Sequence, residues 1–175
     1  MHFEAIYRSH YADVWRCLRR LGVSEREAQD ATQEVFLIAL KKLSEFEARS
    51  TLRTWLIGIA YRVAANRRRR ADTTREVLGD QALAVAELES GVTWKQDQSE
   101  SLHLLERVLN TLPLEQRAVF TMFELEELSG EEIAKALAIP VGTVRSRLRL
   151  AREHFARRVR QLSESEPPRT RAGGT

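Results

Sequence analysis

Apolar residues recur every three or four positions along most of this sequence, and no strand-like alternation runs long enough to compete with that pattern. In the first segment the apolar positions are Phe3, Ile6, Tyr7, Val14, Leu18 and Leu21. Gly22 follows, where a glycine commonly closes a helix. A chain with this period buries its apolar surface by packing helices together, so the sequence predicts an all-α fold.

Capping residues mark where the helices begin and end. Ser24 and Glu27 form a capping box that begins a second helix, which continues to about Leu43. A third helix is expected from about Leu52 to Arg70, after the loop SEFEARST. A further helix stops before Pro113, and Pro113 suits the first turn of the helix after it.

The segment LSGEEIAKALAIPVGTVRSRLRLAREHFARRVR has the organisation of a helix-turn-helix. Ser129 and Glu132 form a capping box, GEEIAKAL is a short helix, AIPVG is the turn, and the arginine-rich part is the last helix. Ala134 supplies the small residue where the two helices cross.

The last helix separates an apolar stripe from a basic outer face. At 100° per residue, four apolar residues fall on one stripe, with all of them within about 40° of Val144; they are Val144, Leu148, Ala151 and Phe155. The residues that point away from the core are Gly142, Arg145, Ser146 and Arg149. Gly142 and Thr143 lie in the first turn, where the backbone and the helix dipole can hold a phosphate. A solvated face is the commoner explanation of an arginine-rich helix, but the turn, the cap and the arginine placement together favour DNA reading.

Charge is distributed in blocks. Residues 51 to 70 contain six arginines and no acid, and residues 142 to 162 contain seven arginines and one acid. Residues 71 to 101 contain seven acids and two basic residues, a net charge of −5. This pattern predicts two phosphate-binding bodies joined by a segment that avoids DNA. The predicted organisation is two small helical domains at residues 1–70 and 102–162, a flexible acidic linker at 71–101 and a disordered tail at 163–175.

The composition excludes several classes of protein. No apolar run is long enough to span a bilayer and no signal peptide is present, so we expect a cytoplasmic protein without membrane insertion. Cys17 is the single cysteine and fits a buried, inert thiol. No histidine pair has metal-ligand spacing, so we expect no metal and no cofactor. Asp30 and Glu34 share a helix face without a third ligand, so we expect no catalytic residues.

The second helix carries a polar face opposite its apolar one. The polar face contains Asp30, Gln33, Glu34 and Leu37, and the apolar set contains Ala28, Thr32, Val35, Ala39 and Leu43. This stripe is either an ordinary polar face or a surface that docks a protein. An acidic stripe is poorly suited to DNA and would suit a basic partner protein.

The third helix has a buried side and a basic side. Trp55, Leu56, Ile59, Ala60 and Val63 form the buried side, and Arg62, Asn66, Arg69 and Arg70 share another face. In the preceding loop, Phe46 and Arg49 could stack on or pair with an unstacked base. The alternative is that Phe46 and Trp55 are both core aromatics, and for Trp55 we favour that interpretation.

Together these residues resemble the extracytoplasmic-function, or group 4, sigma factors of bacterial RNA polymerase. AQDATQEVFLIALKKLSEF and STLRTWLIGIAYRVAANRRRR are similar to region 2 of that family. LPLEQRAVFTMFELEELSGEEIAKALAIPVGTVRSRLRLAR is similar to region 4. The order and length of the pieces make the resemblance specific, and it covers most of the chain.

The resemblance implies a role for each surface. Asp30, Gln33 and Glu34, with Leu37 on the same face, would dock on the clamp helices of the polymerase largest subunit. The loop at 44–54 and the helix after it would capture and open the promoter minus-10 element; the residues concerned are Phe46, Arg49, Arg53, Arg62, Asn66, Arg69 and Arg70. The helix-turn-helix would read the minus-35 element through Gly142, Thr143, Arg145, Ser146, Arg149 and Arg152. The linker would thread the polymerase active-site channel, and an anti-sigma factor is an expected partner besides core RNA polymerase and promoter DNA.

The linker is long enough for one chain to contact both promoter elements. The two promoter elements are about 70 Å apart, at two helical turns, whereas 31 linker residues extend to roughly 100 Å. The protein would not catalyse a reaction itself, since the polymerase performs nucleotidyl transfer.

Two positions depart from the family pattern. Many members have Asn and Asp where this chain has Arg62 and Asn66, so the minus-10 preference cannot be transferred. Ala138 stands in the turn where glycine is common, at a position that we expect need not be left-handed. The runner-up is a helix-turn-helix regulator of the response-regulator type, which predicts an N-terminal receiver domain that the sequence does not show.

Overall fold

The structure, a computed structural model, describes residues 2–48, 50–78 and 100–165. Over these ranges the chain is helical and contains no strand, so the predicted all-α fold is confirmed. The helices are α1 (Phe3–Arg20), α2 (Glu25–Lys42), α3 (Leu52–Leu78), α4 (Glu100–Asn110), α5 (Leu114–Phe120), α6 (Gly130–Leu137) and α7 (Val141–Ser165). A 3₁₀ turn (Leu43–Glu45) follows α2, and a π-helical turn (Thr121–Leu125) follows α5. No described helix has the length and apolarity that crossing a membrane requires.

The first three helices pack together as the apolar pattern predicts. Leu18, Val35 and Leu56 are fully buried, one on each helix. Gly22 ends α1 with φ +94°, a conformation that favours glycine. Ser24 caps α2 by accepting a hydrogen bond from the Glu27 backbone N–H.

The last four helices form the helix-turn-helix and its support. The capping box of α6 is complete: the Glu132 backbone N–H donates to Ser129 Oγ at 3.3 Å, and Ser129 N–H donates to Glu132 Oε2 at 2.9 Å. The apolar stripe of α7 is buried at Val144, and its Phe155 ring stacks on Phe120 with the centroids 4.8 Å apart. Pro113 is the N-cap of α5 and not part of its first turn.

Three helix ends extend beyond the predicted domain limits. Helix α3 continues to Leu78, eight residues past Arg70, because Ala71 to Leu78 contain no glycine or proline. The hydroxyls of Thr73 and Thr74 also donate to carbonyls one turn back, at 3.0 and 2.9 Å. Helix α4 begins at Glu100 and α7 ends at Ser165. The rest of the predicted 71–101 linker, residues 79–99, and the rest of the predicted 163–175 tail, residues 166–175, lie outside the described residues.

The expectation for Ala138 was wrong. This residue is left-handed, with φ +54° and ψ +46°. The reason is the sharp reversal between α6 and α7, in which Ala138 N–H bonds Lys135 O at 3.3 Å and Ile139 N–H bonds Ala134 O at 3.0 Å. Such a helix ending places its C-terminal residue in the left-handed region.

The two groups of helices share one apolar core. Buried residues of α1–α3 and of α4–α7 belong to a continuous cluster. One close approach is at Gly58 of α3, where an added Cβ would lie 3.0 Å from the carbonyl oxygen of Ala136 in α6. The α1–α3 half and the α4–α7 half are therefore packed against each other along α3 and α6.

Candidate functional site

The predicted docking face on α2 is open to solvent. Asp30, Gln33 and Leu37 are exposed, and Leu37 has 59% of its surface accessible. Leu40, which the sequence interpretation did not include, is also exposed, at 49%. It lies three residues after Leu37 on the same side of the helix, so the helical period could have identified it. Two large exposed apolar side chains beside polar ones are typical of a protein-binding surface.

Glu34, the fourth polar member of this face, is only half exposed. Its Oε2 accepts hydrogen bonds from Arg67 Nη2 at 2.9 Å and Nε at 3.2 Å. Arg67 belongs to the basic end of α3, so this pair ties the acidic face of α2 to the helix that carries the predicted minus-10 residues. No sequence pattern singled out Arg67 from its arginine neighbours.

The basic side of α3 faces solvent as predicted. Arg62, Asn66, Arg69 and Arg70 are all exposed. Arg69 Nη2 donates to Asn66 Oδ1, which holds these two side chains together. The four form one surface on the last turns of the helix before residue 71.

The loop before α3 brings an aromatic pair together. Phe46 and Trp55 are half-buried, with their ring centroids 5.1 Å apart. Trp55 is thus part of the packing, as favoured, and Phe46 leans on it with part of its surface in solvent. Arg49, predicted beside Phe46, lies outside the described residues.

Arg53 is directed away from the other predicted minus-10 residues. It contacts Glu126, which directly follows the π-helical turn: Nη2 bonds Oε2 of the carboxylate, and Nη1 donates to the Glu126 backbone oxygen at 2.9 Å. No local pattern in the sequence indicates this partner, because the two residues are 73 positions apart.

The first turns of α7 present an open polar face. Gly142, Arg145, Ser146 and Arg149 are exposed, and Thr143 is half-exposed. A Cβ at Gly142 would meet nothing within 4 Å, so the protein's own packing does not require glycine there. Arg149 Nη1 bonds Glu153 at 2.7 Å, an exposed pair that a phosphate or base could displace at small cost.

Arg152 is engaged more firmly. Its Nε donates to Glu124 Oε1 at 2.7 Å, and its guanidinium lies 5.2 Å from the centroid of the Phe123 ring. Both partners belong to the π-helical turn after α5. This side chain is therefore oriented by the π-helical turn.

Two groups of the core have shifted pKa values. Burial raises the pKa of the Cys17 thiol, and the Glu126 carboxylate adds to the effect, so the thiol is neutral. Burial lowers the pKa of Arg117 to about 10, with Arg68 contributing. Neither group faces the predicted binding surfaces. Across 2–48, 50–78 and 100–165, no three His, Cys, Asp or Glu side chains form a group that could hold a metal ion.

Comparison with known proteins assigns the family. The model of Sigma-70 region 2 matches residues 6–74, and that of Sigma-70, region 4 matches residues 102–155. The RNA polymerase sigma-H factor of Pseudomonas aeruginosa is 36% identical over 171 residues, covering 91% of this chain and 87% of that protein. The ECF RNA polymerase sigma-E factor of Escherichia coli is 35% identical over 151 residues, covering 80% and 78%. The chain belongs to the extracytoplasmic-function sigma factors of the sigma-70 family.

Solved structures agree with this fold. A chain of the complex between the sigma factor RpoE and the anti-sigma factor NepR from Bartonella quintana superimposes with a TM-score of 0.66 at 21% identity, covering 90% of this sigma factor and 96% of that chain. The complex of CnrH with the cytosolic domain of CnrY gives a TM-score of 0.64 at 22% identity, covering 94% and 89%.

The family assignment also decides between the two functions considered from the sequence. A match to Sigma-70 region 2 occupies the N-terminal half, where a response regulator would carry its receiver domain. That half is helical wherever the structure describes it. This protein is a sigma factor for RNA polymerase, and the response-regulator alternative is not favoured.

Proposed function

We propose that this sigma factor binds core RNA polymerase through the α2 face formed by Asp30, Gln33, Glu34 and Leu37. The observation that carries the proposal is the exposure of Leu37 and Leu40 beside these polar residues. Burying two leucine side chains against a partner is favourable by about 25 cal/mol for each Å² of apolar surface. The acidic side chains add complementarity to a basic partner, which gives specificity and a faster association.

The minus-10 element is proposed to bind between the 44–54 segment, which includes the loop before α3, and the basic side of α3. Phe46 offers a partly exposed aromatic ring on which a flipped base can stack, worth roughly 1–3 kcal/mol. The arginines offer phosphate contacts to the strand that carries it. The residues assigned to this role are Phe46, Arg49, Arg53, Arg62, Asn66, Arg69 and Arg70.

The minus-35 element is proposed to bind the first turns of α7. Gly142 and Thr143 approach a phosphate at the helix N-terminus, and Arg145, Ser146 and Arg149 face the major groove. Arg152, held by Glu124, suits the adjacent backbone. The support is the exposed, uncrowded surface on this side of the helix and the buried stripe on the other.

The same assignment covers the partners and the place of action. We propose that an anti-sigma factor, of the kind bound in the two solved complexes, regulates this protein by covering these surfaces. The sigma factor would work in the cytoplasm and perform no catalysis, since the polymerase transfers the nucleotides.

A double variant tests the docking face. Asp30→Ala with Gln33→Ala is expected to lose stable association with core RNA polymerase in gel filtration. The matched control is Glu4→Ala with Arg8→Ala, an exposed ion pair on α1. Full polymerase affinity in the Asp30/Gln33 variant would refute the docking assignment.

A single variant tests the reading helix. DNA fragments are first selected from sheared chromosomal DNA by the wild-type holoenzyme. Arg149→Ala is then expected to weaken binding to the selected minus-35 duplex by about 1–3 kcal/mol while polymerase association is unchanged. The matched control is Arg157→Ala, an exposed arginine further along α7 to which no DNA contact is assigned, and it should bind this duplex as wild type does. An equal loss of DNA and polymerase binding in Arg149→Ala would contradict the division of roles.

A further inference from the structure

A buried carboxylate crosses the boundary between the two halves of this sigma factor. The Glu126 side chain belongs to the region 4 half and is only 3% exposed. Its Oε1 accepts a hydrogen bond from Arg20 Nη1 of α1 at 2.6 Å, and its Oε2 bonds Arg53 of α3. An ionised carboxylate is costly to bury without such partners, so the region 2 half neutralises a charge that region 4 brings to it.

Other contacts close the same boundary, among them an ion pair between Arg19 Nη2 of α1 and Glu106 Oε2 of α4 at 3.3 Å. Arg117 of α5 is buried and donates from Nη1 to the carbonyl oxygen of Leu21, at the end of α1, at 3.2 Å. Its Nη2 donates to Asn110 O at 2.8 Å, which fixes the guanidinium on its own half. Gly58 lets α3 and α6 come into van der Waals contact, as any larger side chain would press on the Ala136 carbonyl.

This closed arrangement conflicts with promoter binding. The minus-10 and minus-35 elements are about 70 Å apart on the DNA, whereas the helices assigned to them belong here to halves in direct contact. Arg53, assigned to the minus-10 element, is also occupied by Glu126. The 21 residues between Leu78 and Glu100 can extend to about 70 Å, so the chain is long enough to let the halves separate.

We propose that Glu126, Arg20 and Arg53 form a latch that keeps the free sigma factor closed and unable to contact both promoter elements at once. The α2 face stays exposed in the closed state, so polymerase can dock before the latch opens. On opening, the three charged groups become hydrated, and Arg53 keeps only Asp13 of its own half as an acidic partner, with Nε 3.8 Å from Asp13 Oδ2. The conflict with promoter spacing rests on the proposed DNA contacts, whereas the latch itself does not.

Small-angle X-ray scattering of the full chain, without polymerase or DNA, tests the latch. Glu126→Gln removes the charge and keeps the shape, and Glu127→Gln makes the same change at the exposed neighbouring residue. We expect the open population to rise roughly tenfold or more in Glu126→Gln, the factor expected for losing a charge-assisted hydrogen bond. The radius of gyration should then exceed that of wild type and of Glu127→Gln; a compact chain of this length has about 16 Å.

A second variant, Arg20→Gln, ensures that the test does not depend on whether Glu126→Gln folds. Arg20→Gln breaks the same latch from α1, and circular dichroism of each sample checks that the helix content is retained. Equal radii of gyration in wild type, Glu126→Gln and Arg20→Gln would overturn the latch, whether or not the DNA contacts are assigned correctly.

Transcription with core polymerase on sheared chromosomal DNA tests the consequence. At limiting sigma concentration, Glu126→Gln should give more transcript than wild type, because a larger fraction is already open. Glu127→Gln should match wild type. An opened Glu126→Gln protein with unchanged transcription would show that the closed state does not limit promoter use. A third outcome is that Glu126→Gln opens but wild type and both variants fail to bind polymerase. That outcome would count against the proposed function and not against the latch.

Discussion

Gly58→Ala should stabilise helix α3 and at the same time weaken the contact between α3 and α6. Gly58 is the one glycine within α3, and replacing a mid-helix glycine by alanine stabilises a helix by about 1 kcal/mol. The new Cβ would lie 3.0 Å from the Ala136 carbonyl oxygen and 3.4 Å from the Ala136 Cβ. Because the nearest atom is backbone, it cannot rotate away, and overpacking of this kind costs about 1–3 kcal/mol.

The helix gain applies whether the two halves are apart or together, whereas the clash applies only to the closed state. The closed-to-open equilibrium should therefore shift toward the open state by the clash alone, about 5- to 150-fold at 1.4 kcal/mol per factor of ten. We expect a larger radius of gyration at unchanged helix content, with the α1–α3 half as stable as in wild type or more stable in urea unfolding.

Gly130→Ala is the matched control. It makes the same change in the first turn of α6, where an added Cβ meets nothing within 4 Å. This variant should stay compact. A Gly58→Ala protein that stays as compact as the control and gains about 1 kcal/mol of global stability would refute the reasoning, because the α3–α6 contact would then yield without cost.

Three further predictions concern local features. Ala138→Gly should raise the unfolding free energy by about 0.5 kcal/mol. Alanine has a left-handed penalty of about 1–2 kcal/mol that glycine avoids, and the extra entropy that glycine loses on folding offsets part of this gain. A lower melting temperature would contradict the prediction. Ser129→Ala should lose about 1 kcal/mol of stability in urea titration by removing the α6 cap, with Ser9→Ala on exposed α1 unchanged; equal stability of the two would count against the capping box. Burial raises the pKa of Cys17 above its ordinary value of 9.0, so the native state keeps a proton that the unfolded chain releases. That contribution is fully present below about pH 9 and is lost above it by up to about 1.4 kcal/mol per pH unit, so Cys17→Ala should flatten the pH dependence of urea unfolding between about pH 8 and 10.5; an unchanged slope would argue against the buried neutral thiol.

Local patterns were sufficient for the helices and for the outward faces of α2 and α7. Periodicity and capping residues are short-range signals, and they located Ser24, Ser129 and the buried stripe containing Val144. The left-handed turn at Ala138 was missed because its conformation is imposed by the reversal between two helices and not by its own preference. The end of α3 was placed too early because a change of charge after Arg70 is not a helix stop signal.

The contacts between the two halves could not be predicted from spacing. Glu126 meets Arg20 and Arg53 across 106 and 73 residues, and nothing distinguishes it from the other acids near it in the sequence. One signal was available: a glycine inside an apolar helix costs about 1 kcal/mol and usually has a packing reason. Gly58 therefore indicated a close neighbour, although not that the neighbour is α6.

The latch offers a way to regulate promoter binding through the fraction of sigma factor that is open. If promoter-competent protein is a small fraction of the whole, the apparent affinity for a ligand that needs the open state falls by that fraction; an open fraction of about 1% weakens it about 100-fold. A partner that binds the closed form lowers the fraction further without covering any DNA-reading residue. Polymerase can dock on the exposed α2 face in either state, so it shifts the equilibrium only through contacts that the closed form cannot make. Those contacts must come from surfaces that the closed form buries between its two halves, since the α2 docking face is already exposed. Opening should therefore depend on polymerase surfaces remote from the α2 site. A polymerase fragment that binds only the α2 face should leave the radius of gyration of the sigma factor within the complex unchanged.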